Sequence, residues 1–432
     1  MLDLADIRRD PEAYRRGIAR KGATEGLDEL LRLEERRRAL IVEAEGFRAR
    51  QNAASEEIAL TKRSGGDASA AIEAMKSVKA AEKDATTRLR EVEETLERQV
   101  RLLPNPPDDD VPDGRTSEDN REILRWGDLP KFDFAPRPHW EIASAAGWFD
   151  PETAGRMSGP GFTILKGEGA RLERALGQFL LDFSTGESGY TEVSVPLLMK
   201  QEAMDSVTIA AKFREDMYRT TDDDGLYLIP TAEHPLTNLH RDQVLDAESL
   251  PRRYTALTSC FRREAGAAGK DTRGMLRVHQ FWKVEMMSFA HPDRSREEHE
   301  RMRGNAEAAL KALGLHFRTV FVCTGDMSAA NRRQYDLEVW AAGVGKWLEV
   351  SSVSNFGDWQ SRRCGTRCRE GAGKGAGKPR FVHTLNGSAL GMPRVLIGIL
   401  ENNQRADGSV AVPAVLRPYM GGRESIAAPG KA

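Results

Sequence analysis

Four cysteines in 432 residues, with no disulfide-like array among them, are too few to staple a secreted fold and fit a reducing compartment. No stretch approaches the roughly twenty consecutive apolar residues that a bilayer-spanning helix needs. The opening segment, Met1 to Gly17, mixes acids and bases where a secretory signal requires an apolar core. These absences predict a soluble, cytoplasmic protein with no membrane partner. A large charge of one sign is lacking too: the net charge of -2 excludes a simple polycation, so any nucleic-acid contact has to come from a local basic surface. What is present is 40 % hydrophobic and 30 % charged residues, in a length that suits one large domain plus an appendage.

Between Leu27 and about Leu103 apolar residues recur at seven-residue steps, as Leu33, Leu40, Phe47 and Ala54, then as Met75, Leu89, Leu96 and Leu103 with Glu82 as the polar break. The Gly-rich turn Ser64 to Asp67 interrupts the pattern once, which predicts an antiparallel helical hairpin with arms of about 35 residues, roughly 50 Å each. An arm that long and thin should project into solvent. Its outer positions carry Arg36, Arg37, Arg38, Arg48, Arg50, Lys79, Lys83, Arg88 and further bases among many glutamates. That pattern suits either a solvated mixed-charge face or an arm tracking a phosphate backbone.

Pro104-Asn-Pro-Pro-Asp-Asp-Asp-Val-Pro112 stops the helix, because proline lacks the amide donor and restricts its predecessor. The organisation predicted is a helical domain over 1–103, a linker over 104–125 and a larger second domain over 126–432. The third part alternates short apolar strands with turns and amphipathic helices such as Ala170 to Phe183 and Arg296 to Leu313. An α+β domain with an antiparallel sheet flanked by helices fits this pattern. Two decoys drop out. Gly371 to Pro379 is glycine-rich but never matches GxxxxGK[ST], and reads as a surface loop. Cys364 and Cys368 have no second Cys or His pair at zinc-finger spacing, so no structural zinc is expected.

The segment Cys260 to Glu285 interleaves arginines and acids: a strand ends in Arg262 and Glu264, a glycine-containing loop carries Arg273, and a second strand returns with Gln280, Phe281, Lys283 and Glu285. Alternate strand residues share a face, so Phe281, Lys283 and Glu285 point together. Carboxylate activation by ATP needs such groups, because it depends on cationic clamping of phosphates, acidic magnesium ligands and fixed alignment more than on proton transfer. On spacing alone, a plain hairpin with cross-strand salt pairs stays open.

The "FRRE…loop…HQFWKVE" arrangement resembles the second signature motif of class II aminoacyl-tRNA synthetases, and "AGAAGKDTRGMLRVHQF" is similar to its seryl version. The likeness runs from the hairpin to Leu416-Arg-Pro-Tyr-Met-Gly-Gly422. For serine it implies Thr231, Ala232 and Glu233 in "LIPTAEHPLTN", with Arg262, Glu285, Asn386 and Ser388; Glu285 is set against the ammonium. For ATP it implies Arg262 at the α-phosphate, Arg263 beside it, Glu264 on the adenine side, Arg273 near the outer phosphates, and Phe281 and Arg394 on the two adenine faces. Glu349, Val350, Ser351 and Ser352 complete the nucleotide site, Glu349 and Ser352 holding Mg2+. Arg262, Glu264, Arg273 and Arg394 are the catalytic set. Pro196 in "GYTEVSVPLL" matches a proline that this class places at a homodimer interface. The hairpin resembles the family's tRNA arm, which implies tRNA(Ser), and also tRNA(Sec), gripped by its long variable arm through Arg36, Arg37, Arg48, Lys79 and Arg88.

The match departs from the seryl pattern in places. Asp205 to Ala211 replaces a stretch close to GTGQLP, Val353 and Phe356 stand at frequent cysteines, and Pro393 precedes Arg394, predicting a stiffer approach to it. The activity implied is serine–tRNA ligation, ATP giving AMP and diphosphate. The rivals are a specialised or inhibitor-tolerant second copy, a class II-type ligase that charges a carrier protein, and a silent regulatory module. The carrier ligases lack the long hairpin, and a silent module should have lost Arg262, Glu285 or Arg394.

Overall fold

The computed structural model describes residues 1–23, 25–208, 214–223, 225–265, 272–371, 375 and 377–427, and the chain divides into two compact units, Met1–Pro104 and Asn105–Ala432. In the first unit the Asp3 and Asp10 side chains cap the short helices α1 (Leu4–Arg9) and α2 (Pro11–Ala19) by accepting amides of the first turn. The hairpin arms follow as α3 (Leu27–Arg63) and α4 (Ser69–Leu102), the first about 55 Å long. Between them Gly65 takes the left-handed conformation the turn requires, and Asp67 Oδ1 accepts the Ser69 amide at 2.9 Å.

The seam uses the expected row and a second one three or four residues away. Leu30, Leu40 and Ala44 of α3 are buried, with Ala85, Val92, Leu96 and Val100 of α4. Beyond Ala44 and before Ala85 neither helix buries a residue. A polar staple joins the arms there, Glu82 accepting Arg48 Nε at 3.0 Å; a second pair, Glu43 accepting Arg88 Nη2 at 2.8 Å, flanks the last buried residues, Ala44 and Ala85.

The stretch read as a linker is split by the structure. Pro104 closes the first unit, while 105–125 packs into the second: buried Asn105 donates to the carbonyls of Ala330 (2.9 Å) and Phe356 (2.7 Å). Residues 121–126 form the edge strand β1 (Arg121–Trp126) of an eight-stranded sheet. Its other members are β2 (Thr191–Glu192), β3 (Arg252–Phe261), β4 (Gln280–Ala290), β5 (Phe317–Phe321), β6 (Arg333–Ala341), β7 (Lys346–Gly357) and β8 (His383–Gly391), in spatial order β1-β5-β6-β7-β8-β4-β3-β2. All neighbours are antiparallel except β2 and β3.

Helices α5 (Gly167–Gly186), α6 (Glu233–Thr237), α7 (Ser295–Ala312), α8 (Trp359–Cys364) and α9 (Met392–Asn402) complete the unit's main frame. Val284, Met286, Leu337, Val339, Val353 and Leu385 share one core with Leu172 and Leu176 of α5, Met302 of α7 and Val395 of α9. Each such side chain contributes about 1.5–3 kcal/mol on burial, which pins that face of the sheet to its helices. Strand alternation then sends the intervening residues of β4, β6, β7 and β8 to the opposite face. No described helix is long and apolar enough to cross a membrane.

Candidate active site

The opposite face opens into a cleft of about 510 Å³. Glu285 of β4 lies directly opposite Ser388 of β8, Asn386 opposite Ser354 of β7, and Ser354 opposite Gln334 of β6. One polar surface thus runs across four strands. Regular alternation would place Glu349 and Ser352, three apart, on opposite faces. The register of β7 shifts between Glu349 and Ser351, so Val350 is an extra residue that brings both into the cleft lining. A second shift, between Ser388 and Leu390, lies alongside in β8.

At the floor, Glu285 is completely buried. Its Oε2 accepts the Thr231 hydroxyl at 2.9 Å, its Oε1 accepts Asn386 Nδ2 at 3.2 Å, and Lys283 forms an ion pair with it while donating to Thr231 Oγ1 at 2.8 Å. A buried carboxylate is tolerable only with such a full set of partners. Glu233, at the start of α6, also lines the cleft; burial first, then the Glu285 carboxylate, push its carboxyl up to about 7. His234 beside it is pushed down to about 3 by burial and by the Lys283 and Arg262 cations, and neither ring nitrogen has a partner among the described residues.

The other wall carries cations. Arg262 lies over the Phe281 ring at 5.2 Å and donates to the Pro230 carbonyl at 3.3 Å. Arg394 donates to the carbonyls of Glu349 (2.9 Å) and Leu276 (3.3 Å), with its guanidinium 3.8 Å from the Glu349 carboxylate. Pro393 sits in the first turn of α9, where proline's missing amide costs nothing, so Arg394 leaves from an ordinary helix start. Glu264 adopts a left-handed backbone (φ 51°) and pairs with Arg277 at 3.1 Å. Beside Glu349, burial and that neighbouring carboxylate hold Asp336 well above the usual range.

Of the residues expected at the site, Thr231, Glu233, Arg262, Glu285, Asn386 and Ser388 line this one cleft. Glu264, Phe281, Glu349, Val350, Ser351, Ser352 and Arg394 line it as well. Three do not. Ala232 belongs to a small core with Leu236 and Met287, Arg263 donates its amide to the Asp216 carbonyl, and Arg273 lies over Trp140 at 4.8 Å. The altered segment contributes Val207 and Thr208 to the lining; its residues 209–211 lie outside the described residues, as do 266–271 of the loop before Arg273. Phe356 lines the cleft, whereas Val353 faces the core. Lys283 was legible only as sharing a face with Glu285, and Asp336 and Gln334 carried no signal beyond their even spacing in a strand.

On the hairpin, Arg36 and Lys79 are exposed and without an acidic partner among the described residues. Arg37 is held by Glu34 (2.8 Å) and Glu93 (3.7 Å), Arg48 by Glu82, and Arg88 by Glu43 and Asp84.

Residues 1–107 match the Seryl-tRNA synthetase N-terminal domain and residues 217–403 the tRNA synthetase class II core domain (G, H, P, S and T). Serine–tRNA ligases of Nitratidesulfovibrio vulgaris strain Hildenborough and of Rhodospirillum centenum are each 48 % identical to the chain, covering 99 % and 100 % of it and all of their own length. The seryl-tRNA synthetase of Pyrococcus horikoshii, solved in complex with ATP, superimposes with a TM-score of 0.94 at 34 % identity, over 99 % of this chain and 100 % of that one. With both domains matched in order and nearly half the residues shared end to end, the chain belongs to the seryl-tRNA synthetase family.

Proposed function

We propose that the cleft activates L-serine with ATP and that the chain then transfers serine to the 3′ end of tRNA(Ser), with tRNA(Sec) as a second acceptor. The observation that carries this reading is the buried Glu285 cluster opening onto the same cleft as Arg262 and Arg394. In the first step a serine carboxylate oxygen attacks the α-phosphorus, the bond to the bridging oxygen breaks, and diphosphate leaves. Arg262, between the amino-acid cluster and the Phe281 ring, faces both the carboxylate and the α-phosphate and offsets the charge that builds between them. Glu285 and Glu233 receive the ammonium. Thr231, Asn386 and Ser388 pair with the side-chain hydroxyl, so alanine would leave buried polar groups unpaired. In the second step the terminal tRNA hydroxyl attacks the carbonyl carbon and AMP departs.

Phe281 and Arg394 present a ring and a guanidinium for adenine. Glu349 and Ser352 would hold Mg2+, which supplies charge neutralisation on the phosphates; the repulsion between Asp336 and Glu349 fits a cation there. Pro196 and the half-exposed Leu197 and Leu198 form an apolar patch suited to a homodimer contact. The hairpin would grip the long variable arm of tRNA. Among its expected contacts Arg36, Arg37, Arg48, Lys79 and Arg88, the first and fourth are poised for phosphate without breaking an existing pair. The cytoplasm is the compartment in which these substrates meet.

ATP–pyrophosphate exchange over a panel of amino acids, followed by charging of purified tRNA, tests the reading. Serine-dependent exchange together with tRNA charging is expected. Exchange without charging favours a carrier-protein ligase, and neither activity sinks the proposal.

A further inference from the structure

Helix α8 contributes nothing to the cleft lining, yet it holds two of the segments that do. Gln360 is fully buried and every polar atom of its side chain is engaged. Nε2 donates to Glu233 Oε1 at 2.7 Å and to the Val207 carbonyl at 3.3 Å, while Oε1 accepts the Thr384 hydroxyl at 2.7 Å. The Val207 carbonyl sets the orientation, because the reversed amide would point its oxygen at a group that cannot donate to it, and at the Glu233 carboxylate whenever that is ionised. On the same helix Arg363 stacks on Trp359 at 3.6 Å and donates to the carbonyls of Asp205 (3.0 Å) and Thr208 (2.8 Å). Val207, Thr208 and Glu233 all line the cleft.

We propose that Gln360 is a positioning residue for serine activation: its carboxamide fixes one oxygen of Glu233, leaves the other to the cleft, and ties Glu233 to the 205–208 segment. The inference rests on the serine reading above. Glu233 faces Glu285 and Lys283 from β4, Arg262 from the end of β3 and His234 from its own helix. From α8 it meets only the neutral Gln360 amide, since Arg363 is committed to carbonyls, and from β8 the neutral Thr384 lies behind that amide. The Gln360 N–H favours the ionised carboxylate, opposing burial and Glu285, and the ionised form is the one that binds an ammonium.

Gln360→Met keeps the volume and removes both donors. In serine-dependent ATP–pyrophosphate exchange, the acid limb of kcat/KM for serine should move up by about one pH unit, and the KM for serine should rise about tenfold at pH 7. The KM for ATP should stay within about twofold, and raising the pH by about two units should restore the serine KM, a recovery that a merely misfolded pocket would not give. Thr384→Val leaves Gln360 in place but frees its oxygen, and should produce a smaller shift of the same sign; it carries the test if the first variant does not fold. A folded Gln360→Met enzyme with an unchanged acid limb, or with a loss that persists at high pH, overturns the proposal. Failure of the wild-type enzyme to exchange with serine would instead remove the serine reading beneath it.

Discussion

The two units both use ion pairs, and the two sets do different work. Across the hairpin, Arg48–Glu82 joins the arms where the apolar seam has run out and Arg88–Glu43 joins them beside its last buried residues, with the arginines 62 % and 38 % exposed. Water and salt screen such pairs, each adds little, and either partner can be exchanged for another charge. On the cleft floor Lys283 and Glu285 meet at 9 % and zero exposure, with Thr231 and Asn386 taking up the remaining hydrogen bonds. Removing one member there strands a charge in a low-dielectric site. Burial, not the number of pairs, separates a surface that can trade partners with a polyanion from a cluster that has to keep its own.

The sharpest way to break this contrast is Glu285→Ala. Serine-dependent exchange should fall by roughly a thousandfold while circular dichroism stays native, since the ammonium loses a buried charge partner, a loss of about 4 kcal/mol in binding; near-normal exchange would take Glu285 out of the site. Next in size is a stability effect at Glu233. Its carboxyl sits at about 7 when folded and near 4.5 when exposed, so between those values the native state keeps a proton that the unfolded chain releases, and stability falls as pH rises through that window. Glu233→Gln should abolish this slope, by at most about 3 kcal/mol in urea titrations at the two ends of the window. His234, low at about 3 against 6.5, gives the opposite slope below 6.5, so the comparison is between variant and parent and not within one curve. Equal slopes in the two proteins would refute the assignment.

Smaller again, the double substitution Arg36→Glu with Lys79→Glu should lower kcat/KM for tRNA charging roughly tenfold and flatten its salt dependence, with ATP–pyrophosphate exchange unchanged. A charging rate indifferent to both residues would locate the tRNA contact elsewhere. Smallest of all, Arg48→Ala should move the thermal unfolding midpoint by no more than about 2 °C. A larger drop would mean that the distal hairpin depends on its staples as the cleft depends on Glu285.

Much of the hairpin was legible because a seven-residue period survives in sequence whatever surrounds it; Leu40 and Leu96 fall where that period puts them, in the buried seam. The arginine partners were not legible, since Glu82 and Glu43 are two glutamates among many. In the second unit, family resemblance named thirteen of the residues that line the cleft, and alternation alone grouped Lys283 with Glu285. The insertion at Val350 left no mark: an extra residue in a strand has no composition of its own, so the shared face of Glu349 and Ser352 emerged only from strand pairing. Gln360 was hidden for another reason, because it reaches Glu233 across 127 positions of sequence. The 105–125 stretch read as a linker because its prolines end α4, while the buried amide of Asn105 that anchors it to Ala330 and Phe356 has no local signature.

The cleft floor is written across β4, β6, β7 and β8, so Glu285, Gln334, Ser354 and Asn386 come together only when the last of these strands has docked. No single stretch of the chain holds half a site in reserve. A growing polypeptide therefore stays inert until residues near 390 have emerged and paired, and an enzyme cut short before β8 should be silent, not weakened.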